Sequence, residues 1–478
     1  MCGLAGILRV YPPGASVPSA AASIPQAWID TLDEHIKHRG PDGFGVFRDR
    51  AVRSDGATVD VALLHRRLAI IDPACGQQPM VSADGHVAVV FNGCIYNHAE
   101  LRRELEQQGC VFQTDHSDTE VLVQGWQAWG NLLFEKLDGM YATLIWDRQR
   151  AHLMRARDRM GEKPLYASIH TPHVQWFASS AAACIALHEV VRTDMQNRAD
   201  AQPHDMAAWL ARGAALACVG QRVVEHPPGW QESPLSIDPQ LDPVSLFPHA
   251  APAQAAEPLT RERLESLLRQ SVIARMVSDV PLGCFLSGGV DSSLIAALAQ
   301  EHLRARGQRL QTFTMQMPHA AYDESPYAQA VGEHLQTEHH VLSCERDVAS
   351  DLIMLIEQLG LPFGDSSLLP TYWLCKAARQ QVKVALAGDG GDELFAGYDR
   401  HWAGLFLSKY GRVLRSLPSA ELLASDDPKR GRNKLARLVD AAKHAGYQDL
   451  VAIFPASMYA KLTSTPIDEH MMKHARAA

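Results

Sequence analysis

PLGCFLSGGVDSSLIAALAQEHL, residues 281–303, decides how the second half of this 478-residue chain is built. The apolar stretch 281–286 reads as a strand, Ser287-Gly288-Gly289 as a turn, and an apolar helical pattern starts near Asp291. Glycines let backbone N–H groups come close to an anion. Ser292 and Ser293 add hydroxyl donors at a helix N-terminus, where the dipole favours phosphate. Asp291 suits such a place only if a cation bridges it, and Mg2+ supplies that bridge. The plain structural alternative is a strand–glycine–helix turn capped by Asp and Ser; the full SGGVDSS string favours the anion site. No GK[ST] follows, so this is not a Walker loop.

The loop is similar to the pyrophosphate-binding loop of ATP pyrophosphatases, enzymes that adenylate a carboxyl or carbonyl group and release pyrophosphate. A second acidic loop, VKVALAGDGGDELFAGY (382–398), follows another strand-like run. It carries Asp389, Asp392 and Glu393 where ligands bind in open α/β sheets, beyond the carboxyl end of a strand. Alone, such a cluster reads equally well as a solvated turn. Beside the first loop, it reads as a holder of Mg2+ or of the group to be activated. From residue 259 onward, strand and helix patterns alternate, which predicts a parallel sheet with helices on its faces.

Working back, residues 191–258 are rich in Ala, Pro, Asp and Gln, as in DPQLDPVSLFPHAAPAQAAEP, and read as a connecting segment holding one helix, DMAAWLARGAAL. Residues 2–190 read as β-rich. VALLHRRLAIID and VAVVFNGCIYN are strand-like, AELRRELEQQGC is an amphipathic helix with Leu101 and Leu105 on one face, and MYATLIWDRQRAHLMRARD is a hairpin. A chain of this length implies more than one domain. Its composition, 46% hydrophobic and 21% charged with net charge −9, is that of a soluble enzyme and unsuited to nucleic-acid or anionic-membrane binding. No apolar run approaches the roughly 20 residues of a membrane span. Nine cysteines, an odd number without CxxC pairs, argue against a disulfide framework or zinc site and for a reducing cytoplasm. The adjacent His339 and His340 read as a polar strand end.

The chain begins MCGLAGIL. Stretch 4–8 reads as a buried strand, which would make Cys2 a small hydrophobe. Alternatively, loss of Met1 would give Cys2 a free α-amino group with an ordinary pKa of about 7.7–8.0, so that one residue carries nucleophile and base. Position alone leaves both readings open.

MCGLAGI, HRGPDG (38–43), LLHRRLAIID (63–72), FNGCIYNH (91–98), SDTEVL (117–122), SGGVDSS and GDGGDELFAGY occur in this order. Together they resemble the glutamine-dependent asparagine synthetases, class II amidotransferases fused to an ATP-pyrophosphatase domain. The resemblance implies an α+β N-terminal nucleophile sandwich of αββα layers over 2–190, the connecting segment 191–258, and an α/β parallel-sheet ATP-pyrophosphatase domain over 259–478. It makes Cys2 the glutaminase nucleophile, with Asn92 and Gly93 forming the oxyanion hole. Arg67 would pair with the glutamine α-carboxylate, Leu68, Ala69, Ile70 and Ile71 would border the pocket beside Cys94, and Asp118 would hold the α-ammonium. In the second domain, Leu286 and Met315 would contact adenine, Ser287, Gly288, Gly289, Ser292 and Ser293 would hold phosphates, and Ala387 and Gly388 would flank the nucleotide. Asp291 and Asp392 would bind Mg2+, and Asp389 would serve formation of the β-aspartyl adenylate. Glutamine, aspartate and ATP would be the substrates, and a homodimer is compatible with the resemblance.

Two departures shape the expectations. The family usually reads NGE where this chain has Asn92-Gly93-Cys94, which implies one contact fewer to the glutamine amine. The family also continues with a helical stretch resembling DRxSMxxxxExRxPFLD and a lysine near the phosphates, and neither is found before Ala478. Lys383 lies in strand-like VKVALA, and Lys429, Lys434 and Lys443 in a basic helical region. The chain is therefore expected to hydrolyse glutamine and to form the adenylate poorly. Amidation of another carboxylate, such as a sugar uronate or a peptide, and a glutaminase with a non-catalytic nucleotide-sensing domain are the competing readings.

Overall fold

Strand β1 (Gly3–Tyr11) starts one residue after Cys2 and is buried at every position except Arg9. The computed structural model describes residues 1–171, 173–194, 223–226, 228–233, 259–343, 347–361, 363, 365–417, 431–443 and 450. Both edges of β1 are paired antiparallel, to β3 (Thr58–Arg67) and to β9 (Val174–Ala178). With β2 (Gly43–Val52), β8 (Tyr166–Thr171) and β10 (Val223–Glu225) they form a six-stranded sheet of order β10-β8-β9-β1-β3-β2. A second antiparallel sheet, of order β11-β7-β6-β5-β4, contains β4 (Met80–Val81), β5 (Val87–Ile95), β6 (Gly139–Asp147), β7 (His152–Arg157) and β11 (Gly229–Ser233).

The two sheets stack with helices outside them. Leu4, Leu8 and Val10 of β1 meet Val90, Leu144 and Trp146 of the second sheet. The alternate residues Ala5 and Ile7 meet Trp28 and Leu32 of α2 (Gln26–Ile36), which follows the short α1 (Ala20–Ser23), and Leu187 of α6 (Ala181–Asp194). On the far side, α3 (His98–Gln107), α4 (Asp118–Trp129) and α5 (Leu133–Lys136) cover the second sheet with Leu101, Leu105, Val121, Leu122 and Phe134. The layers run helix, sheet, sheet, helix. A strand meets a different layer on each face because its side chains alternate. Here both layers are apolar, so the sequence shows an unbroken apolar run. At Gly6 the sheets come close together: a Cβ there would lie 2.6 Å from Leu144 Cδ1.

The expected hairpin is β6–β7, with Asp147 opposite His152. β3 ends at Arg67, so the remainder of LLHRRLAIID is loop. α6 runs beyond residue 190, and β10 and β11 lie within the stretch expected to connect the domains yet add an edge strand to each sheet. They are too short, and set among too many Pro and Ala residues, to show a strand period. DMAAWLARGAAL lies outside the described residues.

The second half is built on four parallel strands in the order β14-β13-β12-β15: β12 (Leu282–Phe285), β13 (Gln311–Met315), β14 (Glu338–Leu342) and β15 (Val384–Leu386). α7 (Arg261–Ala274), α8 (Val290–Arg304) and α9 (Ser325–Leu335) cover one face through Val272, Ala296, Ala299 and Ala328. α10 (Val348–Leu359) precedes α11 (Leu368–Ala378), which covers the other face, where Leu374 and Ala378 join the cluster around Phe313. Burial on both faces is the rule for parallel sheets. α12 (Gly391–Phe395), α13 (Asp399–Arg415) and α14 (Gly431–Lys443) follow. Lys383 stands just ahead of β15 rather than inside it. His339 bonds Thr312 Oγ1 at 3.0 Å and His340 stacks on Phe313, both within β14. No helix among the described residues is long and apolar enough to cross a membrane.

The close approach at Gly6 is testable. Gly6→Ala should destabilise the protein by about 1–3 kcal/mol through overpacking, and adding Leu144→Ala should recover part of that loss instead of adding to it. Additive losses in urea unfolding would show that the sheets are not in contact at this point.

Candidate active site

The register of β1 against β3, with Gly3 opposite Arg66, brings Cys2 level with the end of β3. There Cys2 Sγ accepts the Leu68 N–H at 3.3 Å, and the thiol points back to the Leu68 carbonyl at 3.6 Å. Arg39, in HRGPDG, donates Nε–H to the Cys2 carbonyl at 3.1 Å, while its Nη2 is buried without a partner. Burial pushes the Cys2 thiol pKa up against the pull of the Leu68 N–H, so the sulfur stays protonated until a base takes the proton. The terminal amine can be that base. Burial lowers its pKa from 8.0 to about 6; the Cys2 sulfur opposes this, and the positive charges of Arg39, Lys163 and Arg379 add to it. The amine is on Met1 in this chain. Loss of Met1 would move it one residue, to the Cys2 backbone that Arg39 already holds.

Asn92 sits on β5. His65, near the end of β3, bonds the Phe91 carbonyl at 3.0 Å and so draws Asn92 to the end of the sandwich where Cys2 lies. Burial lowers the His65 pKa to about 4, so this ring is a neutral spacer. The Asn92 side chain is 1% exposed and its Nδ2 has no hydrogen-bond partner. A buried amide left unpaired is costly, unless a ligand oxygen completes it. Gly93 must be glycine, since a Cβ would lie 2.1 Å from the Met140 carbonyl oxygen.

Asp118 opens α4 and is buried, with Oδ2 accepting the Ile95 N–H at 3.2 Å. Desolvation raises its carboxyl pKa to about 6. Its charge also pushes the thiol pKa of Cys2 and Cys94 up. Arg67 is buried as well, yet it is no open fork. Nη1 donates to the Pro73 carbonyl at 2.8 Å, and Nη2 to those of Asp72 at 2.6 Å and Ile71 at 3.2 Å. The guanidinium therefore shapes loop 68–73 around itself, and an incoming carboxylate would share it with the loop.

The second site forms where the neighbouring parallel strands β12 and β15 end. Leu286 follows β12, bonded through its N–H to the Phe313 carbonyl at 2.9 Å, and Met315 ends β13 beside it; both are buried. Ser287 and Ser292 hydroxyls lie 2.9 Å apart, and Ser287 Oγ also accepts the Gly289 N–H at 3.2 Å. Ser293 Oγ is buried without a partner. The two loops touch: a Cβ on Gly391 would lie 2.6 Å from Asp291 Cγ, and one on Gly388 would lie 3.0 Å from the Ser292 nitrogen. Ala387 and Gly388 thus border the helix start, and Asp389 is exposed beside them. The Asp392 carboxylate lies against Gly397, and Glu393 is occupied by the Tyr398 hydroxyl at 2.8 Å. Among the described residues no group of three or more His, Cys, Asp or Glu converges on a metal position. Two carboxylates completed by phosphate oxygens is the ordinary way Mg2+ is held at a nucleotide, and Asp291 and Asp392 fit that donor set.

Sequence reasoning gave no role to Arg39 or Lys163. Arg39 lies in the HRGPDG block and could have been singled out as its buried cation. Lys163, 8% exposed with Nζ 3.4 Å from Met1 Sδ, follows a loop with no local pattern to mark it.

Residues 1–229 match the family model described as glutamine amidotransferase domain, and residues 263–476 match the one described as asparagine synthase. A glutamine-hydrolyzing asparagine synthetase of Bacillus subtilis is 32% identical over 445 residues, covering 91% of this chain and 66% of that protein. Relatives also named glutamine-hydrolyzing asparagine synthetase are 30% identical in Oryza sativa subsp. japonica and 29% in Zea mays, each alignment covering 83% of this chain and 60% of the relative. The chain thus spans about three-fifths to two-thirds of the length of these relatives. A solved structure of Bacillus subtilis glutamine phosphoribosylpyrophosphate amidotransferase aligns with 74% of this chain and 89% of its own at a TM-score of 0.30 and 15% identity, too distant to bear on the fold.

The lowered amine pKa fixes the sign of a pH effect. A cation whose pKa falls to about 6 is a free base above that pH and protonated below it. Burial of a Cys2 amine at the same place lowers its pKa in the same direction, so glutamine hydrolysis should rise through an apparent pKa below the ordinary 8.0 and be flat above it. A limb centred on the ordinary value of 8.0 would show a solvated amine that is not held in this pocket.

Proposed function

Because this chain belongs to the family that joins a glutamine amidotransferase domain to an asparagine synthase domain, we propose that it uses ammonia from glutamine to amidate aspartate at the expense of ATP. The observation that carries the first half is the buried, unpartnered Asn92 amide at the same end of the sandwich as the Cys2 thiol. Cys2, freed of Met1, attacks the glutamine side-chain amide while its own α-amine takes the thiol proton. Asn92 Nδ2 and the Gly93 N–H receive the charge that develops on the carbonyl oxygen. Asp118 holds the α-ammonium, and Arg67 with its loop holds the α-carboxylate. Water then cleaves the γ-glutamyl thioester, and ammonia passes to the second domain.

In that domain Leu286 and Met315 line the nucleotide base, the SGGVDSS loop holds phosphates on backbone amides and hydroxyls, and Asp389 serves the acceptor. Asp291 and Asp392 would hold Mg2+, which when bound neutralises phosphate charge. The aspartate β-carboxylate attacks the α-phosphorus of ATP and displaces pyrophosphate, and ammonia then attacks the β-aspartyl adenylate and displaces AMP.

Two kinds of variant separate the halves. Cys2→Ala should abolish asparagine formation from glutamine and leave formation from ammonium salts near normal; loss of both in a folded variant would contradict two separate sites. Intact mass should show Met1 removed. Asp389→Asn and Asp392→Asn should each slow aspartate-dependent ATP–pyrophosphate exchange by roughly 10²-fold, the scale of losing one electrostatic stabiliser, with glutamine hydrolysis retained. Asparagine formed per glutamine consumed measures the whole reaction. A ratio near zero beside intact hydrolysis would leave the second domain a nucleotide-binding unit, and exchange without aspartate would point to another carboxylate.

A further inference from the structure

Loop 68–72, which holds the Cys2 sulfur at one end and Arg67 at the other, is finished by residues of the second domain. Asp279, between α7 and β12, accepts the Asp72 N–H on Oδ2 at 2.7 Å and donates its own N–H to the Ile70 carbonyl at 3.1 Å. The same Oδ2 lies 2.6 Å from His116 Nε2, just ahead of α4. Asp72 is held at φ 45, a left-handed conformation that non-glycine residues rarely keep without outside support. Its carbonyl is one of the three that position the Arg67 guanidinium. At the other end of the loop, the Ala69 N–H is accepted by Asp42 Oδ2 at 3.0 Å, and that oxygen is paired with Lys383 Nζ of the second domain, also at 3.0 Å. Two loop amides, 69 and 72, therefore rest on two carboxylates, each of which spans the domain boundary. Arg275 of the second domain stacks on Tyr96, two residues beyond Cys94, at 4.5 Å.

These contacts are too exposed to matter chiefly for stability. The His116 and Asp279 side chains are 42% and 39% exposed, and surface pairs of that kind contribute little. What they fix is the position of a buried backbone amide and, through it, of a buried guanidinium.

We propose that Asp279 is a positioning residue for glutamine: through the Asp72 and Ile70 backbone it sets the Arg67 geometry, with Lys383 acting likewise through Asp42 and Ala69, so that the glutamine pocket is complete only when the second domain is docked. This deepens the proposed function and rests on its glutaminase half. The loop contacts the ends of the substrate that do not react. Loosening it should therefore weaken glutamine binding far more than it slows the reaction of bound glutamine.

The test is steady-state glutamine hydrolysis by the full-length protein. Asp279→Ala should raise KM for glutamine roughly tenfold, the scale of losing a hydrogen bond to a charged group, with kcat within about threefold of the parent. Asp279→Asn, which keeps an acceptor for the Asp72 N–H, should recover most of the affinity; a general structural defect would show no such rescue. His116→Ala and Lys383→Met remove partners from opposite sides of the boundary and should each raise KM in the same direction, which keeps the test available if Asp279→Ala does not fold. Unchanged KM in the folded variants, or a fall in kcat with KM unchanged, would overturn the assignment. A parent protein without glutaminase activity would instead overturn the proposed function on which it rests.

Discussion

A nucleophile on the second residue of a chain can work only if the end of the chain is as rigid as its middle. Chain termini are usually the least ordered part of a domain, and ordering each residue costs about 1–2 kcal/mol of backbone entropy. β1 meets that cost with apolar contacts on both faces and paired strands on both edges, from Gly3 on the β3 side and from Ala5 on the β9 side. The all-apolar run after Cys2 and the absence of a side chain at Gly6 are consequences of one requirement. The strand must lie in the centre of a sheet, pressed between a second sheet and two helices.

Rigidity of that kind removes water, and the electrostatics follow. Burial pushes the Cys2 thiol up and the Met1 amine down to about 6, so this end of the sandwich favours the neutral form of both groups. An ion pair between them would be expensive in so dry a place. Arg39, lowered by burial and raised in turn by the Cys2 sulfur, keeps positive charge close to where that sulfur would turn negative. Asp118, raised to about 6 by desolvation, is costly to keep ionised on its own, and an α-ammonium beside it would stabilise the carboxylate. Substrate charge would compensate these buried groups, and the unpartnered Asn92 amide belongs to the same logic.

The sequence carries the parts of this that are local. The SGGVDSS loop, the helix with Leu101 and Leu105, the β6–β7 hairpin and the parallel-sheet pattern each follow from a few neighbouring residues with a period or a turn. What is not legible is pairing over long separations. β10 and β11 join the two sheets from a stretch whose composition reads as linker, because an edge strand of three to five residues needs no period of its own. Lys163 carries no local mark, since its role depends on lying near a terminus 162 residues away. Arg67 is legible only in part. Its type and motif suggest an open fork for a carboxylate, whereas the fold commits it to three carbonyls of its own loop.

The longest separations carry the most function. Asp72 and Asp279 are 207 residues apart and Asp42 and Lys383 are 341 apart, and both pairs end on the loop that holds the Cys2 sulfur. A loop of this kind could have been closed by groups of its own domain, as Arg67 already does from inside. Closing it from outside makes the shape of one site a function of contact with the next. Ammonia set free in solution is protonated and no longer nucleophilic, so a glutamine pocket that is complete before its acceptor domain is in place would waste its product. On the proposed function, tying the Asp72 amide to a carboxylate on the far side of the boundary would make assembly of the glutamine site depend on the domain that uses the ammonia, through hydrogen bonds to backbone that leave no motif in the sequence.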